Sequence, residues 1–219
     1  RGDVARVKAA SDAMGYDSKK LTVLLVQFVS LWRGSEMVAM SSRSGQFVTL
    51  RDLRKEVGND AARFYYVMRK SEQHIDFDLD LAVSQSKDNA VYYIQYAHAR
   101  VNRMIGKASE KNVPFDITQL NTYDVSLLTL EAESEILAKL AAYPEIVIRA
   151  ANNYEPHQVG NYLKELASLF HAWYNLDDAK VLDEQNVTLS QARLLLSLNV
   201  QQVLKNGLTL LGVSAPDSM

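Results

Sequence analysis

From about Asn89 onward the chain leaves a mixed pattern for one that helices alone satisfy. Five segments, Val91 to Lys111, Leu130 to Tyr143, Pro144 to Asn153, Pro156 to Asn175 and Ser190 to Leu211, repeat their apolar residues at helical spacing. Short connections bearing Pro, Asn or Asp separate them. Consecutive amphipathic helices on short connections must fold back on one another to cover their apolar stripes, so a helix bundle is predicted over 83–219. Pro144 and Pro156 fall in the first turn of their helices, where a missing N–H has no partner to lose. In the segment opened by Pro156, Val159, Leu163, Leu166, Ala167, Phe170 and Tyr174 form one stripe as wide as a core-facing helix requires.

Residues 1–82 read differently. "LTVLLVQFVSLW", Leu21 to Trp32, is nearly continuous in Val, Leu and Phe, the pattern of a strand covered on both faces in a parallel sheet. "RGSE" then turns the chain into a short run from Glu36 to Met40. Thr49 with Asp52 three residues on predicts a capped helix start, and Gly58 its end. Asn59 and Asp60 signal a second helix carrying Ala62, Tyr65, Tyr66 and Arg69 at helical spacing. The expected fold is therefore mainly α, a helical bundle preceded by an α/β portion.

At 219 residues and 47% hydrophobic, the chain is long enough to bury a real core. It has no cysteine, which excludes a disulfide framework, a zinc ribbon and a thiol nucleophile and suits a reducing compartment. No run approaches the roughly 18 apolar residues of a membrane span, and Arg1 to Ala10 lacks the apolar centre of a signal peptide. The expectation is a cytoplasmic protein with no membrane partner. The net charge of −2 conceals an asymmetry: residues 1–120 hold 18 Lys and Arg against 14 Asp and Glu, whereas 121–219 hold 6 against 12. A polyanion would meet the first half more readily.

Two tempting sites are set aside. "DFDLDL" places Asp76, Asp78 and Asp80 at alternate positions, but a calcium loop needs Gly at its sixth position, where Leu81 stands. Phe77, Leu79 and Leu81 argue instead for an extended segment with one apolar and one acidic face. Among His74, His98, His157 and His171, no pair has metal-ligand spacing on a helix with a third ligand in view. No metal site is expected.

Two features carry the functional reading. At about 100° per residue, Ile94, Ala97, Val101, Met104, Ile105 and Ala108 form the buried stripe of the helix from Val91. About a quarter turn away, Tyr93, Tyr96, Arg100, Arg103, Lys107 and Lys111 share a second face. Tyrosines can stack on unpaired bases while cations contact phosphates. The same face is also compatible with solvated cations beside tyrosines that edge the core. Gln95 and His98 point away from it and are assigned to structure. The second feature is "VAMSSRSGQFVTL", residues 38 to 50, where Arg43 sits among serines between two apolar runs, as either a solvated loop or a phosphate-holding one.

Together "MSSRSGQFVTLRDL", "NDAARFYYVMRKSEQHIDFDLDLA", "YYIQYAHARV" and "QVLKNGLTLLGVSAPDSM" resemble, over essentially the whole chain, the C-terminal half of the arginyl-tRNA synthetase family, class I enzymes. The resemblance implies that 1–82 is the end of a Rossmann-type catalytic domain and 83–219 a helical anticodon-binding domain. It places Met40, Ser41, Ser42 and Arg43 in the mobile loop that holds ATP, with Ser41, Ser42 and Arg43 in catalytic roles. Their donors and charge would face the phosphates as pyrophosphate leaves. Ala39 and Ser42 stand where the family's full signature has lysines. A His-x-Gly-His signature is not found around any of the four histidines, so the chain is expected to be a fragment, inactive alone, of a ligase that uses ATP, Mg²⁺ and arginine. For tRNA(Arg) binding the resemblance implies Tyr93, Tyr96, Arg100, Arg103 and Lys107, joined by Tyr174 in "FHAWYN" and by Met219. A monomer is expected. A free-standing RNA-binding module and a helical protein scaffold are the alternatives.

Overall fold

The computed structural model describes residues 2–38 and 48–219. Ala39, Met40, Ser41, Ser42 and Arg43 therefore lie outside the described residues. The chain opens with helix α1 (Gly2–Ala13), for which the sequence shows no apolar stripe; it is largely exposed. A three-stranded sheet follows in the order β2-β1-β3. Strand β1 (Val29–Arg33) pairs antiparallel with β2 (Glu36–Met37) and parallel with β3 (Ile75–Asp78), in register from Val29 opposite Ile75 to Trp32 opposite Asp78. Helices α2 (Leu50–Val57) and α3 (Asn59–Val67) lie between β2 and β3 in the chain, and α4 (Leu79–Val83) follows β3. The bundle then runs α5 (Ala90–Ala108), α6 (Glu131–Ala141), α7 (Tyr143–Asn153), α8 (His157–Tyr174) and α9 (Val187–Leu210).

The expected helix boundaries hold where a cap defines them. Thr49 and Asp52 exchange the reciprocal bonds of a capping box, and Gly58, at φ 82°, takes the backbone turn that ends α2. Pro144 lies in the first turn of α7, and Pro156 immediately precedes α8.

The expected strand from Leu21 to Trp32 is shorter than its composition suggests. Regular pairing begins only at Val29, because β3 begins at Ile75 and supplies no ladder before it. Leu24, Leu25, Val26 and Phe28 are 52–86% exposed. Apolar composition predicts burial, but a strand also needs a partner for its backbone. The extended reading of "DFDLDL" also stops early: Asp78 accepts the N–H of Leu81 at 2.9 Å and starts α4. Phe77 and Leu79 are buried, as that apolar face requires.

In the bundle, α5 packs against α8 and α9, and α6 and α7 cover α8. Val159, Leu163, Leu166, Ala167 and Phe170 are buried as the stripe predicts, whereas Tyr174 at its end is 37% exposed. Close approach of α8 and α9 depends on Gly207, where a Cβ would come within 2.5 Å of Leu163.

One ion pair lies inside this core. Arg193 Nε of α9 donates to Glu133 Oε1 of α6 at 2.7 Å, with side chains 6% and 0% exposed. Glu133 Oε2 accepts the Leu130 N–H at the start of α6, Trp173 Nε1 of α8 donates to Oε1 at 3.4 Å, and Arg193 Nη1 donates to the carbonyl of Lys180. A buried pair of this kind destabilises strongly when one member is removed, because the other is left charged without a partner. Arg193→Leu is expected to lower stability by about 3–5 kcal/mol in urea unfolding, and Glu133→Leu with Arg193→Leu to lose less than the single variant. A double variant as unstable as the sum of the two singles would show that the pair acts independently.

Candidate nucleic-acid interface

Helix α5 carries the candidate interface, and its rotation is fixed at its start. Asn89, just before α5, donates Nδ2 to the carbonyls of Ala82 and Ser84 at 3.2 and 2.7 Å and accepts from Tyr65 Oη of α3 at 3.3 Å. Ile94, Ala97, Val101, Met104 and Ala108 then enter the core, with Ile105 at its edge. This leaves Tyr93, Tyr96 and Arg100 half-buried and Arg103 and Lys107 exposed. Lys111 belongs to the turn that follows α5.

The structure brings Tyr93, Tyr96, Arg100 and Tyr174 into one cluster centred on a residue the sequence reading set aside, His171. The Arg100 guanidinium lies 4.8 Å from the Tyr96 ring centre and 4.6 Å from that of Tyr174. It donates to His171 Nδ1 at 3.0 Å and to Tyr96 Oη at 3.2 Å. The His171 ring is 4.5 Å from Tyr93 and 5.7 Å from Tyr96, between centroids. Its Nε2–H donates to the Tyr93 carbonyl at 3.3 Å. Tyr92 stacks on Tyr96 at 6.1 Å. Arg100 is thus a structural clamp for two aromatic rings, more than a solvated cation. The hydrogen bond and charge of Arg100 draw the Tyr96 hydroxyl below its usual phenol value.

A cleft of about 390 Å³ opens beside this cluster, lined by Met104, Tyr174, Leu176, Lys180 and Leu182 among others. It is formed by the connection from α8 to α9, whose Lys180 carbonyl is tied to Arg193. No periodicity marks such a loop, so its cleft is not legible in the residue pattern. Met219 lies at the far edge of the α5 face, 43% exposed, with its main-chain oxygen 3.4 Å from Arg103 Nη2.

Gln95 and His98 are buried and structural, as expected, bonding the segment after α9 at Ser214 and Pro216. His74 is exposed and bonds Ser30 Oγ at 2.9 Å. Each carboxylate of "DFDLDL" has a protein partner: Asp76 accepts from Trp32 Nε1, Asp78 caps α4, and Asp80 accepts from the Gly34 N–H. Among the described residues no helix is long and apolar enough to cross a membrane.

A helical bundle with aromatic rings and cations sharing one helix face has the features expected of a helical RNA-binding domain. Residues 94–219, more than half of the chain, match the model of the DALR anticodon binding domain, and the chain belongs to that family. It is 76% identical over 218 residues to a protein of Acinetobacter baumannii named Arginine–tRNA ligase, and 60% identical over 226 residues to one of the same name from a Psychrobacter species. Each match covers 100% of this chain, which spans 36–37% of those relatives' length. Among solved structures, a putative arginyl-tRNA synthetase from Campylobacter jejuni superposes with a TM-score of 0.85 at 30% identity, covering 100% of this chain and 46% of that one. The arginyl-tRNA synthetase of Thermus thermophilus superposes with a TM-score of 0.70 at 28% identity, covering 99% and 39%.

The cluster also sets a pH dependence. Burial is the main cause that lowers the His171 pKa from 6.5 to about 4; the Arg100 charge adds to it and the bond to Tyr93 opposes it. The unfolded chain therefore takes up this proton first, and stability falls as pH drops from about 6.5 towards 4. Asp116, Asp124 and Asp183 are held below their ordinary 3.8 by Thr118, Ser126 and Lys180, so their contributions are lost only at still lower pH. The thermal midpoint of the parent chain is expected to fall between pH 6.5 and 4, and His171→Gln to flatten that part of the profile. Identical slopes in parent and variant would remove His171 from the account.

Proposed function

We propose that this chain is the anticodon-binding part of an arginine–tRNA ligase and that it binds tRNA(Arg) through Tyr93, Tyr96, Arg100, Arg103, Lys107, Tyr174 and Met219. The observation that carries this reading is the Arg100 clamp, which holds the Tyr96 and Tyr174 rings beside an open cleft within the region matched to the anticodon-binding family. Unpaired bases stack on such rings, and the cleft can receive a base turned out of its stack. Arg103 and Lys107, exposed further along α5, are suited to phosphates.

The division into 1–82 and 83–219 belongs to the same proposal, as do a monomeric state and a cytoplasmic location. The longer enzyme would activate arginine with ATP and Mg²⁺, with Met40, Ser41, Ser42 and Arg43 holding the nucleotide. That assignment rests on their resemblance to the family's signature loop and on the ligase names of the relatives.

Roles within the face separate by charge and stacking. Tyr96→Ala removes a stacking platform and is expected to weaken tRNA binding by about five-fold to a hundred-fold. Lys107→Ala is expected to weaken matched and anticodon-substituted tRNA alike and to reduce the slope of log affinity against log salt by about 0.7 to 0.9. Arg100→Ala is expected to do both, because it frees two rings and removes a charge. Filter binding at several salt concentrations measures all three, with circular dichroism as the folding control. Salt-dependent binding without anticodon preference would favour a general RNA-binding module, and no RNA binding in dilute buffer would favour a protein scaffold.

A further inference from the structure

Residues 211–219, after α9, form no helix or strand, yet four of their main-chain carbonyls are held by side chains of α5. Gln95 Nε2 donates to Ser214 O at 2.9 Å, and His98 Nδ1 to Pro216 O at 2.9 Å. Asn102 Nδ2 donates to Asp217 O at 3.1 Å and Arg103 Nη2 to Met219 O at 3.4 Å. Gln95, His98 and Asn102 lie at i, i+3 and i+7, along one edge of the helix. Because a carbonyl only accepts, the amide nitrogens of Gln95 and Asn102 and a protonated Nδ1 of His98 must face the segment.

The start of the segment is fixed from the α/β portion. Arg63 Nε of α3 donates to Leu211 O at 2.5 Å. Gly212 has φ +68°, and a Cβ there would run into the Arg63 guanidinium. Asp60, in the first turn of α3, accepts both from Gln95 Nε2 at 2.9 Å and from the Ser214 hydroxyl. One glutamine amide therefore bonds α3 and the segment at once.

We propose that Gln95, His98 and Asn102 are positioning residues that set where Met219 lies on the RNA-binding face, and that Gln95 with Asp60 references this position to α3. Gln95, His98, Asn102 and Arg103 each bond a main-chain carbonyl, and among the described residues only Ser214 of the segment adds a side chain, its hydroxyl bonding Asp60 and Gln95, so the register is set mainly through backbone. The Met219 side chain is left exposed to make contact. The segment reaches the cationic face at Arg103, the residue of that face which also bonds the segment. This role rests on the RNA-binding reading above.

A double-mutant cycle on tRNA(Arg) affinity in the 219-residue chain tests it. Met219→Ala and Gln95→Leu are each expected to weaken binding by about three- to ten-fold. In the double variant the losses should not multiply: with the Met219 side chain absent, its position no longer matters. Asn102→Ala, at an exposed site, should behave the same way without disturbing the fold, as circular dichroism and the thermal midpoint check. A merely structural role would lower affinity by the same factor in both backgrounds. Multiplying losses, or a Met219→Ala variant that binds like the parent, overturn the positioning role while leaving RNA binding intact. A parent chain that binds no tRNA overturns the RNA-binding reading, and the ladder's role with it.

Discussion

The buried ion pair between Glu133 and Arg193 joins α6 to α9 and, through Trp173, to α8 by bonds that have direction as well as distance. Apolar burial is non-directional, and the close packing of side chains, as where Leu163 meets Gly207, adds its own register to α8 on α9. A buried carboxylate that accepts from Arg193, from Trp173 and from the N–H of Leu130 admits few alternative arrangements. Desolvating two charges is costly, and their attraction offsets that cost only with such geometry. Arg193 also fixes the Lys180 carbonyl, and with it the connection that forms one wall of the cleft beside Tyr174. A core interaction thus shapes a surface site.

Helix α5 shows how much one element can carry when its faces are divided. One side enters the core, a second bears the tyrosines and cations, and a third holds the 211–219 segment through Gln95, His98 and Asn102. Its rotation cannot change without disturbing all three. Asn89, bonded to Ala82, Ser84 and Tyr65, sets that rotation from the α/β portion. The geometry of the proposed RNA-binding face is therefore linked to α3 and α4 twice, through Asn89 at the start of the helix and through Gln95 and the segment bonded along it.

What was legible in the sequence follows from where the information lies. The stripe and the cationic face of α5 were readable because helical periodicity is local, and so were the Thr49 cap and the Gly58 stop. The length of β1 was not, because a strand depends on partners distant in sequence and the apolar run from Leu21 gives no account of where β3 begins. His171 was missed because a single histidine has no motif; its role comes from Tyr93, Tyr96 and Arg100, more than 70 positions away. Gln95 and His98 were placed correctly off the cationic face, but their partners lie in an aperiodic segment. Bonds from side chain to backbone leave no residue pattern in the strand or loop that receives them.

The Arg100 clamp explains why a half-buried cation should sit against two aromatic rings. An aromatic ring that must be immobilised to stack on a base pays for that order when the base arrives, by about 0.5–1.5 kcal/mol for each mobile side chain. Tyr96 and Tyr174 are held before any ligand is present, by one guanidinium that touches both rings and bonds the Tyr96 hydroxyl. His171 completes the arrangement because, kept neutral by burial, it can accept from Arg100 while donating to the Tyr93 carbonyl. A lysine would supply the charge without the planar contact to two rings or the fixed fork of donors. The same residue thus lends the face both positive potential and preorganisation, and the two cannot be separated by changing its charge alone.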